Sequence, residues 1–169
     1  GFTIYPGSEF NFKLIEQACS LFREAKESGL ITVLWSYARG SMSKKGETAV
    51  NIISYAAHMA CLCGAHIVKV KLPSSFLEED PTKDAFIKNN IKINTAVDRV
   101  KVIKRSCFNG RRIVVFSGGE AKNDNELLNE VKAIKEGGGN GSIVGRNCFQ
   151  RPRDKALELI NNMINIYKN

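Results

Sequence analysis

Apolar and polar positions along the 169-residue chain switch repeatedly between a period of two and a period near 3.6. Phe2-Thr3-Ile4-Tyr5 is a short β-type run stopped by Pro6-Gly7. Ser8 is placed to cap a helix reaching about Ser28, with Phe12, Ile15, Ala18, Cys19 and Phe22 on one stripe and Gly29 as its stop. Leu30 to Trp35 is a continuous apolar run, the pattern of a parallel strand covered on both faces. A polar loop from Gly40 to Lys45 leads to an Ala-rich helix, about Glu47 to Cys63, closed by Gly64. His66 to Lys71 predicts a third strand, and residues 74–95 are polar, with Glu78-Glu79-Asp80-Pro81 reading as a breaker. Thr95 to Ser106 follows as a helix with Val97, Val100 and Ile103 inward. Arg112 to Phe116 is a strand, Asp124 to Glu136 a helix carrying Leu127, Val131 and Ile134, and Ser142-Ile143-Val144 a brief strand. A last helix starts near Pro152, with Ala156, Ile160, Met163, Ile164 and Tyr167 at helical spacing.

The order is β-α repeated five times, with no hairpin signal. That means parallel strands joined by right-handed crossovers, in either a doubly wound sheet or a TIM barrel. No GxGxxG follows the first strand, which weakens a dinucleotide-binding reading.

In parallel α/β proteins ligands bind at the C-terminal edge of the strands, and the unusual residues of this sequence fall there. Trp35, Tyr37 and Arg39 follow the second strand, and Lys69 and Lys71 lie in the third. Ser117-Gly118-Gly119 follows the fourth, and Gly145-Arg146-Asn147 the fifth. Lys69 and Lys71, two residues apart on a strand, share a face. Desolvation and a neighbouring like charge both lower an amine's pKa, giving a neutral nucleophile near pH 7, unless the strand ends early and both are solvated. Tyr37 is a candidate proton shuttle, because cationic neighbours can lower a phenol's pKa, or else a packing aromatic. Arg39 can hold a phosphate bidentately or lie solvated, and Trp35 can wall a pocket or belong to the core. The two glycine turns, each read as preceding a helix start, offer backbone N–H groups to a phosphate. His58 and His66 read as structural. No His/Asp/Glu cluster has metal spacing and no Gly-x-Ser-x-Gly elbow is present.

Composition narrows the field. Hydrophobic residues make up 43% and charged residues 25%, the profile of one globular domain. No apolar run reaches the roughly 18–20 residues of a membrane span. The first residues resemble no leader and lack an initiator Met, so the numbering can start inside a longer chain. Five cysteines, Cys19, Cys61, Cys63, Cys107 and Cys148, are odd in number and lack zinc-like spacing, as in a reduced cytosolic protein. A net charge of +8 suits an anionic partner. Its basic residues are scattered, with one dense group (Lys101, Lys104, Arg105, Arg111, Arg112) and no interleaved aromatics, which argues against nucleic acid.

Four blocks then stand out: Thr32 to Gly40, Gly64 to Lys71, Ser117-Gly118-Gly119 and Val144-Gly145-Arg146-Asn147. In order and spacing they resemble the archaeal-type class I fructose-bisphosphate aldolases, with Tyr5-Pro6-Gly7-Ser8 as a fifth match. The Lys45 region and the 74–110 connection look most like the bacterial branch of that family. The resemblance implies a TIM barrel of which this chain carries strands four to eight, since a full barrel takes about 250 residues. Residues 1–169 would then be a single domain, the C-terminal part of the barrel.

By the same resemblance Lys69 is the Schiff-base lysine and Tyr37 the general acid/base. Trp35, Arg39 and Lys71 shape the substrate site, and Ser117, Gly118, Gly119, Gly145 and Arg146 bind phosphate. The implied reaction is reversible cleavage of fructose 1,6-bisphosphate to dihydroxyacetone phosphate and glyceraldehyde 3-phosphate, in glycolysis and gluconeogenesis, with no metal or cofactor. A phosphorylated sugar is the partner, with no nucleic acid or membrane, and a cytoplasmic homo-oligomer is expected. His66 stands where an acidic residue is usual, but three residues before Lys69 it faces away. Another lysine-dependent phospho-sugar aldolase or thiolase of the family, or an inactive truncated fragment, is the alternative.

Overall fold

The structure, a computed structural model, describes residues 1–119 and 122–168. Five strands, β1 (Phe2–Ile4), β2 (Val33–Ser36), β3 (Ile67–Lys71), β4 (Ile113–Ser117) and β5 (Gly141–Ile143), form one sheet in the order β1-β2-β3-β4-β5. Every pairing is parallel. A doubly wound sheet reverses its strand order at a switch point. This one never does, so right-handed crossovers lay successive helices along one face, as around a barrel.

The helices are α1 (Asn11–Glu27), α2 (Val50–Leu62), α3 (Asp80–Lys88), α4 (Ala96–Ser106), α5 (Asp124–Glu136), α6 (Arg146–Phe149) and α7 (Arg153–Lys168). Between β2 and α2 the backbone makes one 3₁₀ turn, Gly46–Thr48. The core lies between sheet and helices: Ile4, Leu34, Val68, Val70, Val114 and Phe116 are fully buried against Phe22, Val50, Ile53, Val100 and Ile103. A second cluster joins Leu127 and Val131 of α5 to Leu159 and Met163 of α7. Among the described residues no helix is long and apolar enough to cross a membrane.

Several elements differ from the sequence pattern. Only one face of the sheet is fully covered, so β2 begins at Val33, while Leu30 and Ile31 are 61% and 71% exposed. The other face, carrying Trp35, Lys69 and Ser117, is half-buried. Helix α1 starts three residues after Ser8, which sits in the preceding turn, and Phe12 is 84% exposed because Ala18 and Phe22 cover the three-residue β1. Pro81 lies in the first turn of α3 rather than breaking the chain: its missing N–H costs nothing there. In α7 the stripe turns to bury Leu159, leaving Ile164 44% exposed. Thr95 caps α4 in a capping box with Asp98.

Candidate active site

Strand alternation puts Trp35, Lys69 and Val115 in one layer of the half-covered face, since Trp35 pairs with Lys69 and Lys69 with Val115. One step toward the strands' C-terminal ends, Lys71 pairs with Ser117, and Tyr37 lies beyond β2. β3 includes both lysines, so the strand does not end early. Lys69 Nζ stands 5.9 Å from the centroid of the Trp35 ring. Burial holds its amine below the ordinary lysine value. Lys71 is not what lowers it, because its ammonium is paired: Nζ donates to Glu47 Oε2 at 3.1 Å.

The Tyr37 phenol is shifted opposite to expectation. Burial raises it and the Tyr5 phenol adds to the rise, outweighing a hydrogen bond with Ser117 and the Arg39 charge. It is a protonated phenol at neutral pH.

Arg39 is held by backbone and side chain together. The β1–β2 ladder continues past the strands: Tyr37 N–H donates to Ile4 O at 3.1 Å, Arg39 N–H to Pro6 O at 2.9 Å and Ser41 N–H to Gly7 O at 3.0 Å. Gly7 and Gly40, with φ of +90° and +92°, make this approach possible: a Cβ on Gly40 would lie 2.5 Å from Gly7 O. The Arg39 guanidinium donates to Glu47 Oε2 at 2.6 Å, and Lys44 Nζ to Glu47 Oε1 at 3.2 Å. Burial alone would push the Glu47 carboxyl up, but hydrogen bonds from Lys71 and Lys44 and the charges of Lys71 and Arg39 together bring it below the usual carboxylate range.

The glycine turns after β4 and β5 meet. Asn147, 2% exposed, donates from Nδ2 to Gly118 O at 3.1 Å and accepts at Oδ1 from Lys122 N–H at 2.7 Å. Arg146 donates to Gly119 O at 3.2 Å. Gly145 caps the four-residue α6, but α5 starts only at Asp124, so the Gly118-Gly119 turn does not front a helix start as expected. Ser117, Gly118, Gly119, Gly145 and Arg146 thus gather at the β4 and β5 ends, with Arg39 and Lys71 at the β2 and β3 ends.

The histidines serve the scaffold. His66 Nδ1 accepts from Thr32 N–H at 3.0 Å, and His58 Nδ1 lies 2.8 Å from Ser106 O. The cysteines are free thiols. Cys61 hydrogen-bonds Cys107 and Cys63 hydrogen-bonds Cys19, which the sequence spacing hid. Among the described residues no group of three or more His, Cys, Asp or Glu could hold a metal ion.

The model of the DeoC/LacD family aldolases matches residues 1–151. The chain belongs to that family. A probable class 1 fructose-bisphosphate aldolase of Chlamydia muridarum is 33% identical over 99% of this chain and 51% of its own. A Methanocaldococcus jannaschii protein named fructose-bisphosphate aldolase/6-deoxy-5-ketofructose 1-phosphate synthase is 32% identical over 95% of this chain and 46% of its own. A solved archaeal fructose-1,6-bisphosphate aldolase, its catalytic Lys covalently bound to the carbinolamine intermediate of the substrate, superposes with a TM-score of 0.79. That structure is 29% identical, and the match covers 100% of this chain and 57% of that one. The chain spans about half the length of the curated relatives it matches.

Sequence reasoning missed Glu47 in this DeoC/LacD family chain and named Asn147 only as the third residue of the turn after β5, with no role of its own. Glu47 joins three cations and Asn147 joins the two glycine turns. A lone acid among Arg39, Lys44 and Lys45 was a usable signal for Glu47. Asn147 had none beyond its place after Gly145-Arg146.

Proposed function

We propose that this chain carries the catalytic residues of a Schiff-base (class I) aldolase that reversibly cleaves fructose 1,6-bisphosphate. We also infer that its five strands are the fourth to eighth of a TIM barrel, residues 1–169 forming the barrel's C-terminal part. The observation that carries the reading is Lys69: a half-buried amine held below its ordinary value, facing Trp35, beside a lysine whose charge a carboxylate already pairs.

Neutral Lys69 Nζ adds to the C2 ketone to give a carbinolamine. Tyr37, a protonated phenol, donates its proton to the departing hydroxyl, which leaves as water, and a protonated imine remains with a tyrosinate beside it. The tyrosinate takes the C4 hydroxyl proton as the C3–C4 bond breaks, and the bonding pair moves into the iminium to give a neutral enamine. Glyceraldehyde 3-phosphate departs. Tyr37 returns its proton to C3, and water then hydrolyses the protonated imine, its surplus proton restoring the Tyr37 phenol as dihydroxyacetone phosphate and neutral Lys69 are released. The raised phenol suits this cycle, because it starts as a donor. One phosphate lies at the turns of Ser117, Gly118, Gly119, Gly145 and Arg146, as in other barrels. The other faces Arg39 and Lys71, across Lys69. From the family alone we infer a cytoplasmic homo-oligomer.

A second reading keeps the lysine chemistry and changes the sugar phosphate. It is favoured by the second activity in the name of the Methanocaldococcus jannaschii relative. The deciding experiment is borohydride reduction of the complete protein carrying this chain, with fructose 1,6-bisphosphate or dihydroxyacetone phosphate, followed by peptide mass spectrometry. A triose-phosphate adduct on Lys69 supports the proposal. A folded protein with no adduct, or with one on Lys71, refutes it.

A further inference from the structure

The segment after β3 reads from the sequence as an unassigned polar stretch, yet it is bonded to the loop that carries Glu47. Glu78 accepts from Ser43 N–H at 2.6 Å and from Ser43 Oγ at 2.7 Å, and Ser43 Oγ in turn accepts from Gly46 N–H at 3.0 Å. Its own N–H donates to Asn51 Oδ1 at 3.1 Å at the start of α2. Ser74 N–H donates to Thr48 O at 2.7 Å and Val50 N–H to Phe76 O at 3.0 Å. The 3₁₀ turn bearing Glu47 is therefore bonded to residues 74–78 both before and behind. Gly46 sits so close to the brace that a Cβ there would lie 2.5 Å from the Glu78 carboxylate.

A fixed carboxylate matters for what it holds. Arg39 and Lys71 are long side chains, 41% and 25% exposed, which unrestrained would lose several rotamers on meeting a ligand. Both donate to the same Glu47 oxygen, and Glu47 itself is only 13% exposed. One oxygen thus brings together a cation from the β2 end and one from the β3 end. Each keeps N–H donors free, since Lys has three and Arg five. Three cations on one carboxylate leave the cluster net positive.

We propose that Glu47, braced by Glu78, is a positioning residue that sets Arg39 and Lys71 for the phosphate far from the glycine turns, and so tunes this site for doubly phosphorylated sugars. The inference rests on the aldolase reading above. Glu47 touches neither the substrate nor the reacting atoms; it acts through the two cations.

The test takes the 1-phosphate to lie at the glycine turns and the 6-phosphate at Arg39 and Lys71, and compares fructose 1,6-bisphosphate with fructose 1-phosphate in the complete protein carrying this chain. Glu47→Gln should raise KM for the bisphosphate about tenfold more than KM for the monophosphate, a tenfold ratio being about 1.4 kcal/mol. The kcat values should move by less than about threefold, because binding rather than the chemical step is affected. Glu78→Gln should shift the KM ratio the same way by a smaller factor, and Glu47→Asp should restore part of it. A general loosening of the fold would instead raise both KM values together and lower kcat. Equal effects on the two sugars, or a lower KM for the bisphosphate, overturn the proposal. Borohydride trapping on Lys69 in the parent separates the two failures. With an adduct and an unchanged KM ratio only this inference falls; with no adduct the aldolase reading falls and takes this one with it.

Discussion

Asn147 gives the most local prediction. Replacing it with Ala removes the donor to Gly118 O and the acceptor for Lys122 N–H, both from a side chain 2% exposed. A buried partner left without its hydrogen bond costs about 1–3 kcal/mol. Lys122 and Gly118 are half-buried, so water can reach them and the lower half of that range applies, about 1–2 kcal/mol for each. For a native hydrogen bond broken by local opening, that corresponds to about a 5- to 30-fold loss of exchange protection at the Lys122 amide. The assay is amide hydrogen exchange in peptides covering residues 117–126, with the β3 peptide (67–71) as internal control. Asn147→Asp keeps the acceptor and loses the donor, so it should leave Lys122 protected while weakening the hold on Gly118. The reasoning is refuted if Lys122 exchanges at the parent rate in Asn147→Ala, or if both variants deprotect it equally.

Two further outcomes follow from the site's geometry and charge. Gly40→Ala places a Cβ 2.5 Å from Gly7 O at a φ of +92°, so it should lower the melting temperature and weaken substrate binding through Arg39, whereas Gly29→Ala, with nothing within 4 Å, meets strain alone and should leave binding unchanged; titrations of the two variants against a phosphorylated sugar check the contrast. Burial disfavours the Lys69 ammonium in the folded chain, and that penalty is complete below the lowered folded pKa, where the amine is charged folded and unfolded. It shrinks as pH rises through the folded pKa and vanishes above the ordinary value of 10.5. Lys69→Met should therefore be the more stable protein at neutral pH, with its advantage declining toward alkaline pH; a pH-independent difference in denaturant midpoint contradicts this.

How much of this was legible in the sequence depends on the range of the interactions. The strands and most helices show because burial imposes a period on neighbouring residues: Leu127, Val131 and Ile134 fall on one face of α5 and are buried there. Lys69, Lys71, Tyr37 and Arg39 stand out because they interrupt a β pattern at its ligand-binding edge. Glu78 and Asn147 do not, because their partners lie 35 and 29 residues away along the chain. For Glu47 the neighbours Arg39 and Lys44 give a local hint, while the bond to Lys71, 24 residues away, has no local pattern to announce it. The direction of the Tyr37 shift was misjudged for a related reason: the nearby charge is read from sequence, while the burial that outweighs it belongs to the assembled sheet. Helix α3 was hidden by Pro81, whose meaning depends on whether it stands in the first turn or the interior of a helix.

The unreversed strand order also bears on how the chain reaches this structure. Each strand pairs only with those before and after it in the chain, as Phe2 with Leu34, Ile67 with Ile113 and Val115 with Gly141. The loops to be closed are all of similar length, and the entropic difference between the shortest and the longest is only about 0.5 kcal/mol. Chain connectivity therefore gives no pairing a head start. What distinguishes them is the apolar surface each brings, and β4, with Val114 and Phe116 fully buried and neighbours on both sides, brings the most. Assembly is therefore expected to nucleate on β4, so that β3 with Lys69 is set in place as a neighbour added to it, with β5 on the other side.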